Sequence, residues 1–485
     1  MSRRLLILLM VFVYCTLSAA DDQCLKCHET IGDKPSALFK HDIHFRKGVT
    51  CADCHGGNPR TEDMDKAMDK KAGFTGVPKG DEISRVCANC HSNPEQMKKY
   101  GSSLPTNQLQ NLLSSVHGRL SVTGKEHIAQ CITCHGAHGI VSVKDPRSPA
   151  YPLNVVKTCT QCHANATFIK KYNPSLPVDQ LDKYKTSVHG MRNAKGDFRV
   201  AECASCHGSH DILSAKDVRS HVYPVNLPST CASCHSNKEH MKGYNIPTDQ
   251  FEKYSTSVHG IALLQKGDVG APACNSCHGN HGAVPPGVES ISQVCGTCHA
   301  MNADLFSSSP HKKAFDDQNL PECETCHSNH EIVAATNTLL GTGPGTICAK
   351  CHSEQRDPKG FRAVNHMRQL ADSLESAETT AGTLIDDAEQ KGMEISEAKF
   401  RLRDVRQARL QSRTMVHSFD EQKYRETVGK GIKIAEEVKT EGQAAIEEYS
   451  FRRKGLGYAS IIITILAISL YIFIKRIERK QRTGI

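Results

Sequence analysis

Eleven copies of one pattern, Cys-x-x-Cys-His, run through residues 24–352 of a 485-residue chain, and they decide what its interior can be built from. The first cysteines are Cys24, Cys51, Cys87, Cys131, Cys159, Cys203, Cys231, Cys274, Cys295, Cys323 and Cys348. The second are Cys27, Cys54, Cys90, Cys134, Cys162, Cys206, Cys234, Cys277, Cys298, Cys326 and Cys351. The closing histidines are His28, His55, His91, His135, His163, His207, His235, His278, His299, His327 and His352. Together they use 22 of the 23 cysteines. The pattern is the attachment sequence for c-type haem: the thiols add to the vinyl groups of the porphyrin and the histidine ligates the iron. A disulfide framework would not demand a histidine after every second cysteine. Zinc sites built on Cys-x-x-Cys pair two motifs, and eleven is odd. The reading is eleven covalently bound c-type haems.

That reading accounts for a composition that is otherwise hard to fold. Only 38% of residues are apolar and 5% aromatic, with no tryptophan, and the mean hydropathy is -0.43. At about 150 residues per domain the length allows roughly three units, so side chains alone would make a thin core. Porphyrin fills it. The formal net charge of +8 also changes meaning. Each ferric haem brings roughly one negative charge, so eleven would take +8 to about -3, and the basic balance is compensation for cofactor rather than a nucleic-acid surface.

Two segments address the chain. Arg3 and Arg4, an apolar run from Leu5 to Leu17 and Ser18-Ala19-Ala20 read as a signal peptide over 1–20, which carries the leftover Cys15. Leu456 to Ile474 is 19 residues without a charge, long enough to cross a bilayer. Three basic residues precede it (Arg452, Arg453, Lys454) and five follow (Lys475, Arg476, Arg479, Lys480, Arg482), which favours a cytoplasmic C-terminus. The expected place is the bacterial cytoplasmic membrane, with the haem region in the periplasm on one span.

The haem region repeats itself. Ser115-Val116-His117-Gly118, Ser187-Val188-His189-Gly190 and Ser257-Val258-His259-Gly260 align, with Ser309-Pro310-His311 as a shorter relative. A Cys-x-x-Cys-His follows each by 12 to 15 residues, then a further histidine, His138, His210, His281 or His330, then a second motif. Asp179-Gln180-Leu181 and Asp249-Gln250-Phe251 look like the start of a short helix that delivers the histidine. Four repeats thus carry eight haems and eight histidines beyond the motifs. Low-spin haem needs a second axial ligand, and fixed spacing makes His117, His138, His189, His210, His259, His281, His311 and His330 the candidates. The first three motifs need three more. His41 and His44 are the obvious pair, and the last is His366 or His417, with His366 slightly preferred as nearer in sequence. His127, His221 and His240 lack repeat counterparts and read as surface residues.

These motifs resemble the multihaem c-type cytochromes with doubled Cys-x-x-Cys-His motifs, of the cytochrome c3-like kind, over residues 24 to about 366. The helical segment after the last motif is also similar to the octahaem hydroxylamine oxidoreductase and pentahaem nitrite reductase superfamily. That resemblance implies haems packed nearly edge to edge. Enzymes of that superfamily keep one haem open to substrate, often with a lysine as proximal ligand, whereas all eleven motifs here end in histidine.

From Phe361 to Arg453 the chain has no motif and little proline. Leu370, Leu374, Ala377, Ala381, Leu384 and Ala388 recur at threes and fours, the helical period. Gly392 and Phe419-Asp420 read as breaks, so two or three long helices are expected, serving as a spacer or as a face for a second copy of the chain. The expected fold is mostly α and irregular, packed on haem, with little β, long C-terminal helices and one transmembrane helix. Its divisions are 1–20 leader, 21–100 three-haem segment, 101–360 four two-haem repeats, 361–454 helical hairpin or stalk, 455–475 span and 476–485 basic tail. The favoured function is electron transfer with no catalytic residue, from a quinol pool or quinol-oxidising membrane complex to a soluble or outer-membrane cytochrome. The alternative is a reductase of nitrite, hydroxylamine or tetrathionate type with one open haem. Direct quinol oxidation is a third reading.

Overall fold

The computed structural model describes residues 22–121, 124, 126–285 and 291–483. The leader expected over 1–20 and the last two residues of the basic tail lie outside them. The chain divides into two compact units at Pro285 and Pro286.

The first unit is built from short helices. Gln23–Ile31, Asp81–His91, Pro152–His163 and Leu227–His235 are its longer ones. The motif helices Cys51–His55, Cys131–His135, Cys203–His207 and Cys274–His278 span five residues each. Helices this short are marginal in water by themselves, and each must be held from outside. Among the described residues there is no strand, only an isolated antiparallel bridge between Leu120 and His127. Apolar side chains supply little of the interior. Phe39, Met97, Val155, Ile169, Val200, Met241, Leu263 and Ala273 are buried, scattered one or two to a repeat.

The second unit has a side-chain core. Helices Pro358–Gln390, Ser396–Met415 and Glu421–Thr483 pack into a three-helix bundle. Leu374, Ala381, Ile385, Ala388, Val405, Tyr424, Val428, Ala435 and Val438 form its buried seam, at the threes and fours that an amphipathic helix requires. Gly392, at φ +75°, makes the first turn. Phe419, in the left-handed region at φ +49°, makes the second, so both expected breaks are present and the helices number three. Arg409 bonds Glu378 at 2.5 Å, and Arg401 reaches both Glu437 and Glu441. The last helix runs 63 residues without a break, about 95 Å at 1.5 Å per residue. Its apolar stretch is the one segment among the described residues that is long and apolar enough to cross a membrane, and none of that stretch is buried.

Candidate haem-binding sites

The Ser-Val-His-Gly segments are helix caps. Ser115, Ser187 and Ser257 are buried. Each hydroxyl donates to the last turn of the preceding helix, at Leu112 O, Tyr184 O and Tyr254 O (2.6–2.7 Å). Each also accepts the backbone N–H of the motif's glycine, at 2.9–3.3 Å. The glycine is required because a Cβ at Gly118, Gly190 or Gly260 would stand 1.9–2.1 Å from that same carbonyl. The chain therefore leaves one helix, turns tightly on serine and aims the histidine inward.

A fifth copy opens the series. Asp42 is buried and replaces the serine, accepting the backbone N–H of His44 at 2.9 Å. Its other oxygen accepts Ile140 N–H at 2.8 Å, and Ile43 N–H donates to Ile140 O at 2.7 Å. The same strap recurs as Val116 N–H to Ile212 O and Val188 N–H to Ala283 O. Ile140, Ile212 and Ala283 each lie two residues past a repeat histidine (His138, His210, His281). The capping segment of one repeat is thus bonded to the next repeat.

The imidazoles follow the same interleaving. His44 faces His91, His117 faces His163 and His189 faces His235, with ring centroids 5.9, 6.0 and 6.1 Å apart. In each case the capping histidine meets the motif that closes its own repeat. His138 faces His55, His210 faces His135 and His281 faces His207, at 6.1, 6.1 and 6.0 Å. Here the histidine meets the first motif of the repeat before it. In the second unit His311 faces His352 at 5.8 Å and His417 faces His327 at 6.0 Å. A metal–imidazole bond is about 2.0 Å and the ring nitrogen lies roughly 1.1 Å from the ring centroid, so an iron between two axial imidazoles needs centroids about 6.2 Å apart. The observed gaps fit an iron, and they are too wide for stacked rings in contact.

Ring planes divide the pairs into two classes. Pairs formed by the closing motif of a repeat are crossed, at 89°, 72°, 61° and 61°. Pairs formed by the first motif are near parallel, at 12°, 20°, 14° and 23°. Protonation suits ligation as well. Burial pushes His91, His117, His135, His138, His163, His189, His207, His210, His235, His281, His311, His327 and His417 below the ordinary imidazole value. They are neutral at pH 7, the form that binds a metal.

Several rings have their tautomer fixed by a bond at Nδ1, which leaves Nε2 to face a metal. His28 Nδ1 bonds Asp33 at 2.5 Å, His352 bonds Asp357 at 2.5 Å and His44 bonds Asp42 at 2.8 Å. His55 donates to Gly76 O at 2.8 Å and His417 to Thr414 O at 3.1 Å. The hydrogen bond from His28 holds Asp33 down to about 2.

The thiols form a ladder. Cys87 lies within hydrogen-bonding reach of Cys131, Cys159 of Cys203, Cys231 of Cys274 and Cys295 of Cys323. Cys24 and Cys51 both adjoin Asp22; burial first and that carboxylate second push them up to about 11 and about 12. Second cysteines continue the ladder: Cys54 feels the charge of Cys90, Cys134 that of Cys159 and Cys162, Cys206 that of Cys231 and Cys234, and Cys326 that of Cys348 and Cys351. Within each unit, motifs that follow one another in sequence are neighbours in space.

The geometry also revises parts of the sequence reading. His417 stands opposite a motif histidine, whereas His366, the slightly preferred choice, bonds Glu421 through Nδ1 at 2.6 Å. His417 lies in Met415-Val416-His417-Ser418, which echoes Ser-Val-His-Gly. His41 is exposed between helices Lys34–Phe39 and Ile43–Arg46. His259 stands in the register of His117 and His189, and His330 in that of His138 and His210. His127 is more than a surface residue: its backbone N–H and Nδ1 both bond Asp81, at 2.8 and 2.7 Å. His240 lies near parallel to Tyr244, with ring centroids 6.5 Å apart.

Two family models match parts of the chain. The family model described as "Cytochrome c3" matches residues 43–164, and that described as "Cytochrome c554 and c-prime" matches 14–56. The first match covers the motifs of Cys51, Cys87, Cys131 and Cys159 with His44, His117 and His138. The C-type polyheme cytochrome OmcC of Geobacter sulfurreducens is 21% identical over 303 residues, which cover 54% of this chain and 37% of that protein. The chain therefore spans little more than a third of that relative's length. No solved structure matches.

Proposed function

We propose that this chain, a multihaem c-type cytochrome, is a membrane-anchored electron conduit of eleven haems, closed to substrate by bis-histidine ligation. The observation that carries the proposal is the opposition of a motif histidine and a non-motif histidine across an iron-sized gap, repeated along the chain. When bound, each haem iron supplies a one-electron couple. The residues do the rest. The cysteines would hold each porphyrin by two thioether bonds, and the thiol ladder sets neighbouring attachment points side by side. The paired imidazoles would hold each iron between them, which would limit reorganisation and exclude small ligands. Carboxylates and carbonyls at Nδ1 orient the rings and tune the irons behind them. His417 completes the set at the tenth motif, and His41, thirteen residues past His28 in sequence, is assigned to the first although its ring does not face His28.

The apolar stretch of the last helix supports anchorage in the cytoplasmic membrane with the haem region in the periplasm. Electrons would then pass between a quinol pool or quinol-oxidising complex and a soluble or outer-membrane cytochrome. The relative from Geobacter sulfurreducens, a polyheme cytochrome, is in keeping with that role.

A second reading has one observation in its favour. His28 is half-exposed, its Nδ1 is pinned by Asp33, and among the described residues no second imidazole faces it. An iron there could stay open to nitrite or hydroxylamine.

Substitution at the tenth motif tests the assignment. His417→Ala should convert one low-spin ferric signal to high-spin with the haem count intact, and His366→Ala should not. The opposite pattern would transfer the ligand to His366.

A further inference from the structure

Among the described residues, three buried side-chain oxygens have no hydrogen-bond partner: Oε1 of Gln108, Gln180 and Gln250. They are one position of the repeat. Each glutamine opens a seven-residue helix, Gln108–Ser114, Gln180–Thr186 or Gln250–Thr256, and stands nine residues before His117, His189 or His259. Leaving a buried polar group unpaired costs about 1–3 kcal/mol. One orphan amide can be an accident of packing. Three in the same register imply a polar partner that the polypeptide does not supply.

The surroundings identify that partner. The three helices pack respectively on Asp81–His91, Pro152–His163 and Leu227–His235, each of which ends in a Cys-x-x-Cys-His motif. The polar groups that a haem brings to its pocket wall are its propionate carboxylates, which only accept when ionised. A glutamine amide has an acceptor and a donor end that differ by a half-turn of the terminal torsion. With Nε2 turned into the buried position, the amide becomes the donor that a carboxylate needs.

We propose that Gln108, Gln180 and Gln250 are haem-contact residues, each donating its amide N–H to a propionate of the haem carried by the helix it packs against. The inference rests on the electron-transfer reading and deepens it. A donor on the propionate draws its negative charge away from the iron and favours the ferrous state. These glutamines thereby raise the potentials of the haems bound at Cys87, Cys159 and Cys231.

The test is a spectroelectrochemical titration of full-length, detergent-extracted protein as wild type, Gln108→Leu, Gln108→Glu and Gln110→Leu. Gln110 is exposed on the same helix and serves as the control. Haem is counted first; a wild type without covalent haem would overturn the electron-transfer reading itself and, with it, this inference. With the count intact, Gln108→Leu should lower one midpoint by about 59 mV, a tenfold shift in that haem's oxidation equilibrium. Gln108→Glu should lower it too and make it depend on pH, because two carboxylates then share the contact. Gln110→Leu should titrate as wild type. Should Gln108→Leu lose haem, Gln108→Glu, which keeps the side chain's size, decides alone. Superposable, pH-independent titration curves for wild type and Gln108→Glu at equal haem content would overturn the proposal.

Discussion

Ser328 sits at φ +65° and ψ -177°, a backbone region that belongs to glycine. In the other repeats a glycine is there: Gly136, Gly208 and Gly279 leave the motif helix at φ +79°, +80° and +83° and turn the chain toward the next histidine. The fourth repeat makes the same turn at the cost of strain. Ser328→Gly should therefore stabilise the protein by about 1 kcal/mol, read as a higher thermal midpoint, because it removes the Cβ penalty. The opposite case is Gly190, whose added Cβ would lie 1.9 Å from Tyr184 O. Gly190→Ala should cost about 1–3 kcal/mol and broaden the spectrum of the haem held by His189 and His235. Unchanged stability in either variant would mean that the tight turn does not govern the histidine. At this scale the sequence was legible where identity repeats. Cysteines, motif histidines and Ser-Val-His-Gly all announce themselves. Asp42 in place of serine hid the fifth copy, since the two share only the ability to cap a helix N-terminus.

At the scale of elements, the repeat unit in sequence is not the unit of ligation. His44, His117, His189 and His311 meet their own repeat's closing motif, while His138, His210 and His281 reach back to the repeat before. Backbone straps such as Val188 N–H to Ala283 O enforce that offset. Spacing along the chain could not reveal it, because interleaved and self-contained pairing have the same sequence period. Crossed and parallel imidazoles divide along the closing and the first motifs. Mutual ring orientation sets the splitting of the iron d orbitals, so the two classes give distinct low-spin EPR signals. His189→Ala should remove one crossed-type signal, and His210→Ala one parallel-type signal. Loss of the same signal type from both variants would contradict the alternation. The bundle was more transparent: Leu374, Ala381 and Ala388 follow the helical period and are buried, and Gly392 and Phe419 mark the turns.

At the scale of the molecule, a low apolar content predicts a poor side-chain core, and this holds for one unit but not for the other. The first has scattered apolar residues and many short helices, the second a bundle with a continuous seam. Within each unit, motifs that are neighbours in sequence are neighbours in space. Donor and acceptor were not legible, because recognition surfaces carry no fixed spacing. The central claim is a conduit whose irons are closed. Its most direct test is an EPR spectrum, with spin quantitation, of the fully oxidised, detergent-solubilised protein before and after nitrite, hydroxylamine or cyanide. The account predicts low-spin ferric signals of both classes, unmoved by any addition. A stoichiometric high-spin signal that shifts with nitrite would contradict it and point to an open iron, first of all at His28.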